Sequence, residues 1–175
     1  MFPTRSRTVH TEVIQLRATA AQVKQFIMTP ERILDYYPSG IDCGVIEPGM
    51  SLYCRGKSGV SLLELDVVES NDKKLVVNVT TAMNLSPPFT AERIKDAVFF
   101  TMVEDWKVEP HDSGTRLTKT WRDIKKFKLR FLPMRSIVKK SARAESTSLK
   151  NSWDAAAQAA EPSSIQERAV SSANW

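Results

Sequence analysis

The segment from Met134 to Ala160 contains neither proline nor glycine, and it constrains the fold of this chain more than any other feature. Pro133, just before it, suits the first turn of a helix. A helix over the whole segment would be about 40 Å long, at ~1.5 Å per residue, which is enough to cross a sheet. Mostly apolar or small residues recur at helical spacing, which predicts one packed face. This predicted stripe consists of Val138, Ala142, Glu145, Leu149, Trp153, Ala156 and Ala160.

The middle of the predicted helix carries small side chains where a core helix would carry leucine or isoleucine. These residues are Ser141, Ala142, Ala144 and Ser148. Two interpretations are open. In one, the unfilled volume is a ligand cavity, since an empty cavity that nothing uses destabilises a protein. In the other, large side chains of a facing sheet fill the space, and the candidates are Phe100, Met102, Trp106 and Trp121.

The central part of the chain alternates apolar and polar residues with a period of two, which is typical of half-buried strands. The sequences EPGM and SNDK each predict a tight turn between two such strands. Each hairpin then has its apolar residues on one face, which predicts an antiparallel sheet covered on one side. The predicted facing pairs are Cys43 with Cys54, Val45 with Leu52, Leu63 with Val79, and Leu65 with Val77.

The remaining segments complete a β-α-α-β6-α order. TVHTEVIQLR predicts a first strand, TAAQ a capping box that starts a helix, and TPER a second helix that ends after two tyrosines at Pro38. AVFFTMVEDWKVE and TRLTKTWRDI predict the last two strands, joined by a turn at PHDSG. The sequence NLSPPFTAERIKD before them is predicted to be irregular, either an entrance gate to a cavity or a connector.

This order of elements, with TAAQVKQFIMTPERILDYYP after the first strand and GTRLTKTW in the last, resembles the SRPBCC superfamily. That superfamily includes the StAR-related lipid-transfer domains, the birch-pollen allergen family and the polyketide cyclase/dehydrase-like proteins. The resemblance covers Thr8 to Ala160 and implies an α+β helix-grip fold. In that fold a curved seven-stranded antiparallel sheet wraps round a long C-terminal helix and leaves an apolar cavity. We therefore expect one domain over residues 1–160 and a mobile tail over residues 161–175.

Glu104 and Lys119 are the most notable candidates for chemistry. If the PHDSG loop places Trp106 opposite Leu117, then Glu104 faces Lys119 and Met102 faces Trp121, all on the inward face. An inward ion pair would be partly desolvated, and it would either neutralise itself or meet a polar group of a ligand. The alternative is a slip of register, or a pair at the wet end of the sheet.

Other residues are predicted to contact a ligand in the expected cavity. His10 shares a face with Ile14 on the first strand and is a third acid–base candidate, although a lone histidine on a strand is more often structural. Tyr36 and Tyr37 end the second helix, where the cavity often opens in the resembling family. The complete predicted ligand-binding set is Tyr36, Tyr37, Leu63, Leu65, Val77, Val79, Phe100, Met102, Glu104, Trp106, Lys119, Trp121, Ile137, Ser141, Ala144 and Ser148.

The net charge of +5 is unevenly distributed along the chain. Between Arg122 and Arg143 there are nine Lys or Arg residues and one acid, Asp123. The rest of the chain holds 25 − 9 = 16 basic and 20 − 1 = 19 acidic residues, a net of −3. This basic segment is interpreted either as a solvated helix face or as a surface in weak contact with anionic membrane lipids. Nucleic acid is not expected as a partner, because no recognised module is present.

The two cysteines and two histidines show no metal-ligand spacing, so no metal site is predicted. No Gly-rich phosphate loop is present, and no cofactor is predicted. The sequence shows no signal peptide and no run long enough to span a membrane, so we expect a cytoplasmic location.

The leading hypothesis is a protein that binds or transports an apolar small molecule, such as a lipid, a polyketide or an isoprenoid. The sequence favours a carrier over an enzyme but leaves turnover open. One alternative is a cyclase or dehydratase acting on such a molecule through Glu104, Lys119 and His10. Another is a peripheral membrane module that uses the basic segment 122–143.

Overall fold

Seven antiparallel strands form one sheet in the computed structural model of the protein, which confirms the predicted α+β fold class. The structure describes residues 6–27, 29–35, 41–46, 51–57, 59–68, 74–126 and 131–160. The strands are β1 (Thr8–Leu16), β2 (Asp42–Ile46), β3 (Ser51–Arg55), β4 (Gly59–Val68), β5 (Lys74–Met83), β6 (Val98–His111) and β7 (Gly114–Lys126). The helices are α1 (Ala20–Ile27), α2 (Pro30–Asp35), α3 (Ala91–Asp96) and α4 (Met134–Ala160).

The strand order is β1-β7-β6-β5-β4-β3-β2, so the first strand pairs with the last. Neighbours from β2 to β7 follow one another in the chain, as the short predicted turns require. All four predicted facing pairs in the two central hairpins are confirmed: Cys43 with Cys54, Val45 with Leu52, Leu63 with Val79, and Leu65 with Val77.

The predicted register between β6 and β7 is wrong by two residues. Trp106 lies opposite Lys119, not Leu117, and Glu104 lies opposite Trp121, not Lys119. The cause is the turn, whose central residues are Asp112 and Ser113 because His111 pairs with Gly114. A shift of two residues leaves every side chain on its predicted face, since the strand period is two.

Gly114 makes this turn feasible. Its φ angle of 146° lies in a region that residues other than glycine rarely adopt. A Cβ atom at this position would also collide with the backbone carbonyl oxygen of Leu16 on β1. Glycine here therefore allows both the hairpin turn and the close approach of the end of β1.

The two helices after β1 begin as predicted. The backbone N–H of Thr19 donates to Oε1 of Gln22 at 2.9 Å, and the N–H of Gln22 donates to Oγ1 of Thr19 at 3.2 Å, which completes the capping box. Pro30 is the first residue of α2. The predicted continuation of this helix through Tyr36 and Tyr37 lies outside the described residues.

The segment before β6 contains a short helix that the sequence analysis missed. Thr90 caps α3, and its hydroxyl oxygen accepts the N–H of Arg93 at 3.3 Å. Ile94 of α3 packs against Val60 and Leu62 on the outer face of the sheet. Helix α3 therefore covers the face of the sheet opposite to α4, which favours the connector interpretation of this segment over the entrance gate.

The main core lies between the inner face of the sheet and the helices α1 and α4. The predicted stripe of α4 is buried at Val138, Ala142, Glu145 and Leu149, and Trp153 is half-buried with its ring 4.9 Å from that of Phe26. Burial of a side chain such as Val138 or Leu149 contributes about 1.5–3 kcal/mol to the free energy of unfolding. Ala156 and Ala160 also belong to the predicted stripe, but the structure does not describe their side chains.

The helix α4 makes its closest backbone approaches to β1 and β7 and therefore covers one half of the sheet. No helix of the described chain is both long and apolar enough to cross a membrane. Residues 161–175, predicted to form a mobile tail, lie outside the described residues.

We predict that Gly114→Ala lowers the free energy of unfolding by about 1–3 kcal/mol, because alanine is strained at this φ and its Cβ meets the β1 backbone. Urea denaturation measures the change. Ser113→Ala, in the same turn but exposed, should change the free energy of unfolding by less than about 0.5 kcal/mol. Equal effects of the two substitutions would show that Gly114 is not under the inferred constraint.

Candidate functional site

A cleft of about 470 Å³ lies between α4 and the inner face of strands β4 to β7, and we call it the α4 cleft. It forms because α4 lies nearest to β1 and β7, so that its other flank faces the middle strands across a gap. The small residues Ser141 and Ala144 are exposed to this gap. The lining residues are Ser61, Val79, Thr81, Phe100, Met102, Glu104, Trp121, Ile137, Val138, Lys140, Ser141, Ala144 and Glu145.

Glu104 forms part of the floor of the α4 cleft and is fully buried. Its Oε1 accepts the indole N–H of Trp121 at 3.1 Å, and its Oε2 accepts the indole N–H of Trp106 at 3.2 Å. The Lys119 ammonium lies 3.4 Å from the same Oε2. Both carboxylate oxygens are thus occupied by protein donors, as a buried carboxylate requires.

Lys119 is a fully buried cation held between two carboxylates and two aromatic rings. Its Nζ donates to Oε1 of Glu145 on α4 and forms an ion pair with Glu104. The same Nζ lies 3.7 Å from the ring centroid of Trp106 and 4.9 Å from that of Trp121. Carboxylate pairing and cation–π contact together replace the water that this ammonium group loses on folding.

Glu145, the third charged residue of this cluster, is buried on α4. Burial raises the pKa of Glu145 to about 7, with the Lys119 charge acting in the opposite direction and the Glu104 charge adding to the increase. A carboxyl group with this pKa exchanges its proton near neutral pH, unlike an ordinary glutamate. Since Glu145 also lines the α4 cleft, this proton lies next to any molecule that the cleft holds.

The ion pair between Glu104 and Lys119, predicted from the sequence with the wrong register, forms diagonally across β6 and β7. Both side chains point inward and are fully buried, as predicted. Glu145 was missed as a third member, although it was recognised as part of the buried stripe of α4. A charged residue in an otherwise apolar stripe was the available signal, because such a residue needs a buried partner.

His10 points inward on β1, as predicted, but it is not among the lining residues of the α4 cleft. Its ring stacks on Trp121 with centroids 5.9 Å apart, and its Nε2 lies 2.5 Å from Oε1 of Glu12. Arg143 of α4 approaches the same Glu12 oxygen at 3.9 Å. These contacts support the structural interpretation of His10 more directly than a catalytic one.

The predicted ligand-binding residues divide into three groups. The first group does not line the α4 cleft as described: Tyr36 and Tyr37 lie outside the described residues, and Ser148, half-buried on α4, is not among the lining residues. A second group is buried in the core: Leu63, Leu65, Val77, Trp106 and Lys119. The third group lines the α4 cleft: Val79, Phe100, Met102, Glu104, Trp121, Ile137, Ser141 and Ala144.

A larger and more basic recess of about 910 Å³ adjoins the α4 cleft and shares Val79 and Met102 with it. Its lining includes four basic residues, Arg7, Lys125, Lys126 and Arg135. The exposed cations of α4 and the fully exposed Phe131 lie in the same part of the chain. The exposure of these side chains fits both interpretations of the basic segment, a solvated face and a surface in contact with anionic lipids.

In the part of the chain that the structure describes, no group of three or more potential ligands lies close enough together to hold a metal ion. The ionisable and indole groups that line the α4 cleft are the carboxylates of Glu104 and Glu145, the ammonium group of Lys140 and the indole of Trp121. The carboxylates accept hydrogen bonds and exchange protons, whereas the ammonium and the indole N–H donate hydrogen bonds.

Comparisons with known proteins find similarity in structure and none in sequence. No family model matches the chain, and no curated protein matches its sequence. Ara h 8.0201 has a similar structure, with a TM-score of 0.55 at 11% identity, over 86% of this chain and 99% of that one. A START superfamily protein from Mycobacterium smegmatis is also similar, with a TM-score of 0.51 at 15% identity, over 83% of this chain and 96% of that one.

A third similar structure is DynU16, a protein of the dynemicin biosynthetic locus, with a TM-score of 0.52 at 14% identity. The similarity covers 85% of this chain and 47% of DynU16. At such identities the comparisons show a shared fold. The protein thus has the curved sheet and C-terminal helix of START-like and allergen-like proteins, which is the fold that the sequence resemblance implied.

We predict that the stability of the protein falls as the pH rises from about 5 to 7, because of Glu145. Its folded-state pKa of about 7 exceeds the ordinary value of 4.5, so in this window the unfolded chain releases a proton that the folded protein retains. The loss is at most about 3 kcal/mol, at 1.36 kcal/mol per pKa unit. In urea denaturation, Glu145→Gln should remove this pH dependence, whereas Glu109→Gln, which changes a partly exposed carboxylate on β6, should preserve it.

The carboxyl groups of Asp105 and Asp123 do not obscure this measurement. Burial alone would raise the pKa of Asp105, but hydrogen bonds from Arg122 and Lys74 lower it. The backbone N–H of Arg7 lowers the pKa of Asp123. Both groups therefore lose stabilising contacts only as the pH falls below their ordinary pKa of 3.8. Parallel pH profiles for the wild type and Glu145→Gln would contradict the prediction.

Proposed function

We propose that the protein binds or transports an apolar small molecule, such as a lipid, a polyketide or an isoprenoid, in the α4 cleft. The observation that carries this proposal is the cleft itself. Its volume of about 470 Å³ lies in the range of small-molecule sites, roughly 300–1,000 Å³. Apolar and aromatic side chains line most of it, and a few convergent polar groups form its floor, which is the usual composition of such sites.

The small side chains of α4 support the same proposal. Ser141 and Ala144 in the middle of α4 line the cleft, whereas the larger Leu149 further along the same helix is buried in the core. The shared fold adds support, since one similar structure is a START superfamily protein and another comes from a biosynthetic locus. The cytoplasmic location expected from the sequence is part of the proposal, and the free thiols of Cys43 and Cys54 suit a reducing compartment.

Filling the cleft provides the direct test. We predict that Ser141→Phe and Ala144→Phe abolish the binding of an apolar fluorescent probe such as 1-anilinonaphthalene, because the new ring occupies the ligand volume. Ser136→Phe is the matched control, since Ser136 is an exposed residue of α4 that is not among the recorded lining residues of either recess. Fluorescence titration measures binding, and thermal unfolding shows whether each variant is folded.

The expected melting temperatures of both cleft variants lie close to that of the wild type, because the phenylalanine enters unfilled space and does not overpack a core. Probe binding that survives in both variants would contradict the proposed location of the ligand. Unfolding of both variants would show that the middle of α4 is tightly packed, which also contradicts it.

The second candidate function is acid–base turnover of the bound molecule, of the cyclase or dehydratase type. One observation favours it: Glu145 lines the cleft and has a pKa of about 7, and an acid–base catalyst works best with a pKa near the working pH. In this function the Glu145 carboxylate would remove a proton from the carbon next to a ketone, which gives a neutral carboxyl group and an enolate, and would then return the proton to that carbon. The adjacent Lys119 ammonium would stabilise the carboxylate before the first step and after the second.

A simple ketone tests this second candidate without knowledge of the natural substrate. If Glu145 acts as a base, the protein should accelerate the exchange of the α-protons of 2-tetralone in deuterated buffer, as followed by NMR. Glu145→Gln should reduce the rate to that of buffer while 2-tetralone still binds. Exchange that is no faster than in buffer, with the ketone bound, would leave the carrier function and exclude this chemistry for Glu145.

A further inference from the structure

The buried cluster at the floor of the α4 cleft contains two carboxylates and one ammonium group. Glu104, Glu145 and Lys119 are each at most 4% exposed, so water neutralises little of their charge. Lys140 of α4 also lines the cleft but is exposed, and Glu12 and Arg143 lie 3.9 Å apart at the edge of the sheet. With both carboxylates ionised, the cluster carries one net negative charge next to the cleft.

The two carboxylates differ in their remaining capacity to accept hydrogen bonds. Glu104 receives donors on both oxygens, two indole N–H groups and the Lys119 ammonium. Lys119 contacts Glu145 through Oε1. Because Glu145 also lines the cleft, its carboxylate has the acceptor capacity that remains for a bound molecule.

We propose that the ligand of the α4 cleft carries a hydrogen-bond donor, a hydroxyl or an amine, at the end that reaches the floor, and that Glu145 accepts this hydrogen bond. This inference rests on the proposed function, because it specifies which apolar molecules the same cleft selects. It favours alcohols, phenols, enols and amines over hydrocarbons and ethers of the same shape. It disfavours a molecule that places a carboxylate at the floor, since that group would face two carboxylates across a short distance.

The energetic reason is the cost of leaving a buried charged acceptor without a partner. A hydrogen bond to a charged group is worth more than one between neutral groups, and an analogue without the donor leaves the acceptor desolvated and unpaired. The same asymmetry gives enzyme sites their discrimination between a hydroxyl group and its absence. A donor-bearing ligand should therefore bind at least about 10-fold more tightly than its methyl ether.

Three naphthalene derivatives test the inference, because they share the apolar part and differ in the polar group. They are 2-naphthol, which donates a hydrogen bond, 2-methoxynaphthalene, which cannot, and 2-naphthoate, which is an anion. Dissociation constants are measured by fluorescence titration at about pH 8, above the pKa of Glu145. The expected order of affinity for the wild type is naphthol first, methoxynaphthalene second by at least about 10-fold, and naphthoate last.

Glu145→Gln should remove the preference. Lys119 needs an acceptor and should therefore take the amide carbonyl of the new side chain, which leaves the amide NH₂, a donor, facing the cleft. We expect naphthol and methoxynaphthalene to bind this variant within about 3-fold of each other, with a gain in affinity for naphthoate. Glu12→Gln is the matched control, since it removes an inward carboxylate of β1 that is not among the recorded cleft residues, and it should keep the wild-type order.

The outcomes separate the inference from the proposed function. Equal binding of naphthol and methoxynaphthalene to the wild type, or a preference that survives Glu145→Gln, would overturn the inference and leave apolar binding in place. No binding of any of the three compounds to the wild type would overturn the proposed function and the inference with it. The comparison of naphthol with methoxynaphthalene uses the wild type alone, so it decides the matter even if the variant does not fold.

Discussion

The structure depends on one buried cation. Lys119 on β7 is fully buried, and it contacts Glu104 on β6 and Glu145 on α4. Removing an ammonium group from water costs several kcal/mol, and close carboxylates offset this cost only when the geometry is good and the remaining hydrogen bonds are made. The indole N–H groups of Trp106 and Trp121 donate the remaining hydrogen bonds to Glu104. The face of the Trp106 ring contacts the Lys119 ammonium. The chain can meet these conditions only if α4 lies where Glu145 reaches the sheet.

The α4 cleft follows from that position. With Glu145 held at Lys119 and with Val138, Ala142 and Leu149 packed inward, α4 lies along β1 and β7. Its flank with the small residues then faces the middle strands from a distance. The cleft is thus a result of where the helix is attached, and the small side chains keep it open. Large residues at these positions would close it without disturbing the buried stripe.

The sequence predicted the fold well where the signals were local. Tight turns and alternating residues placed Cys43 opposite Cys54 and Leu65 opposite Val77, because turn position determines register in a hairpin. The same reasoning failed by two residues between β6 and β7, where several positions in PHDSG suit a turn and only the contact of Gly114 with β1 decides among them. The pairing of β1 with β7 and the docking of Ile94 on the outer face have no local signal. Glu145 was placed on the correct face of α4, but its partner depends on how α4 crosses the sheet, and helical periodicity does not contain that information.

The composition of the cluster supports the proposed binding role over a purely structural one. A buried ion pair is seldom the most stable choice, and apolar residues of similar volume often stabilise a core more. Burial raises the pKa of Glu145, and the charge of Glu104 adds to the increase, so a second carboxylate beside the pair makes the arrangement less favourable. Sites that reduce stability in this way are typical of functional regions, where a group is held ready for a partner. Glu145 at the floor of an apolar cleft, with Lys119 on one side and the cleft on the other, has the position that such a group requires.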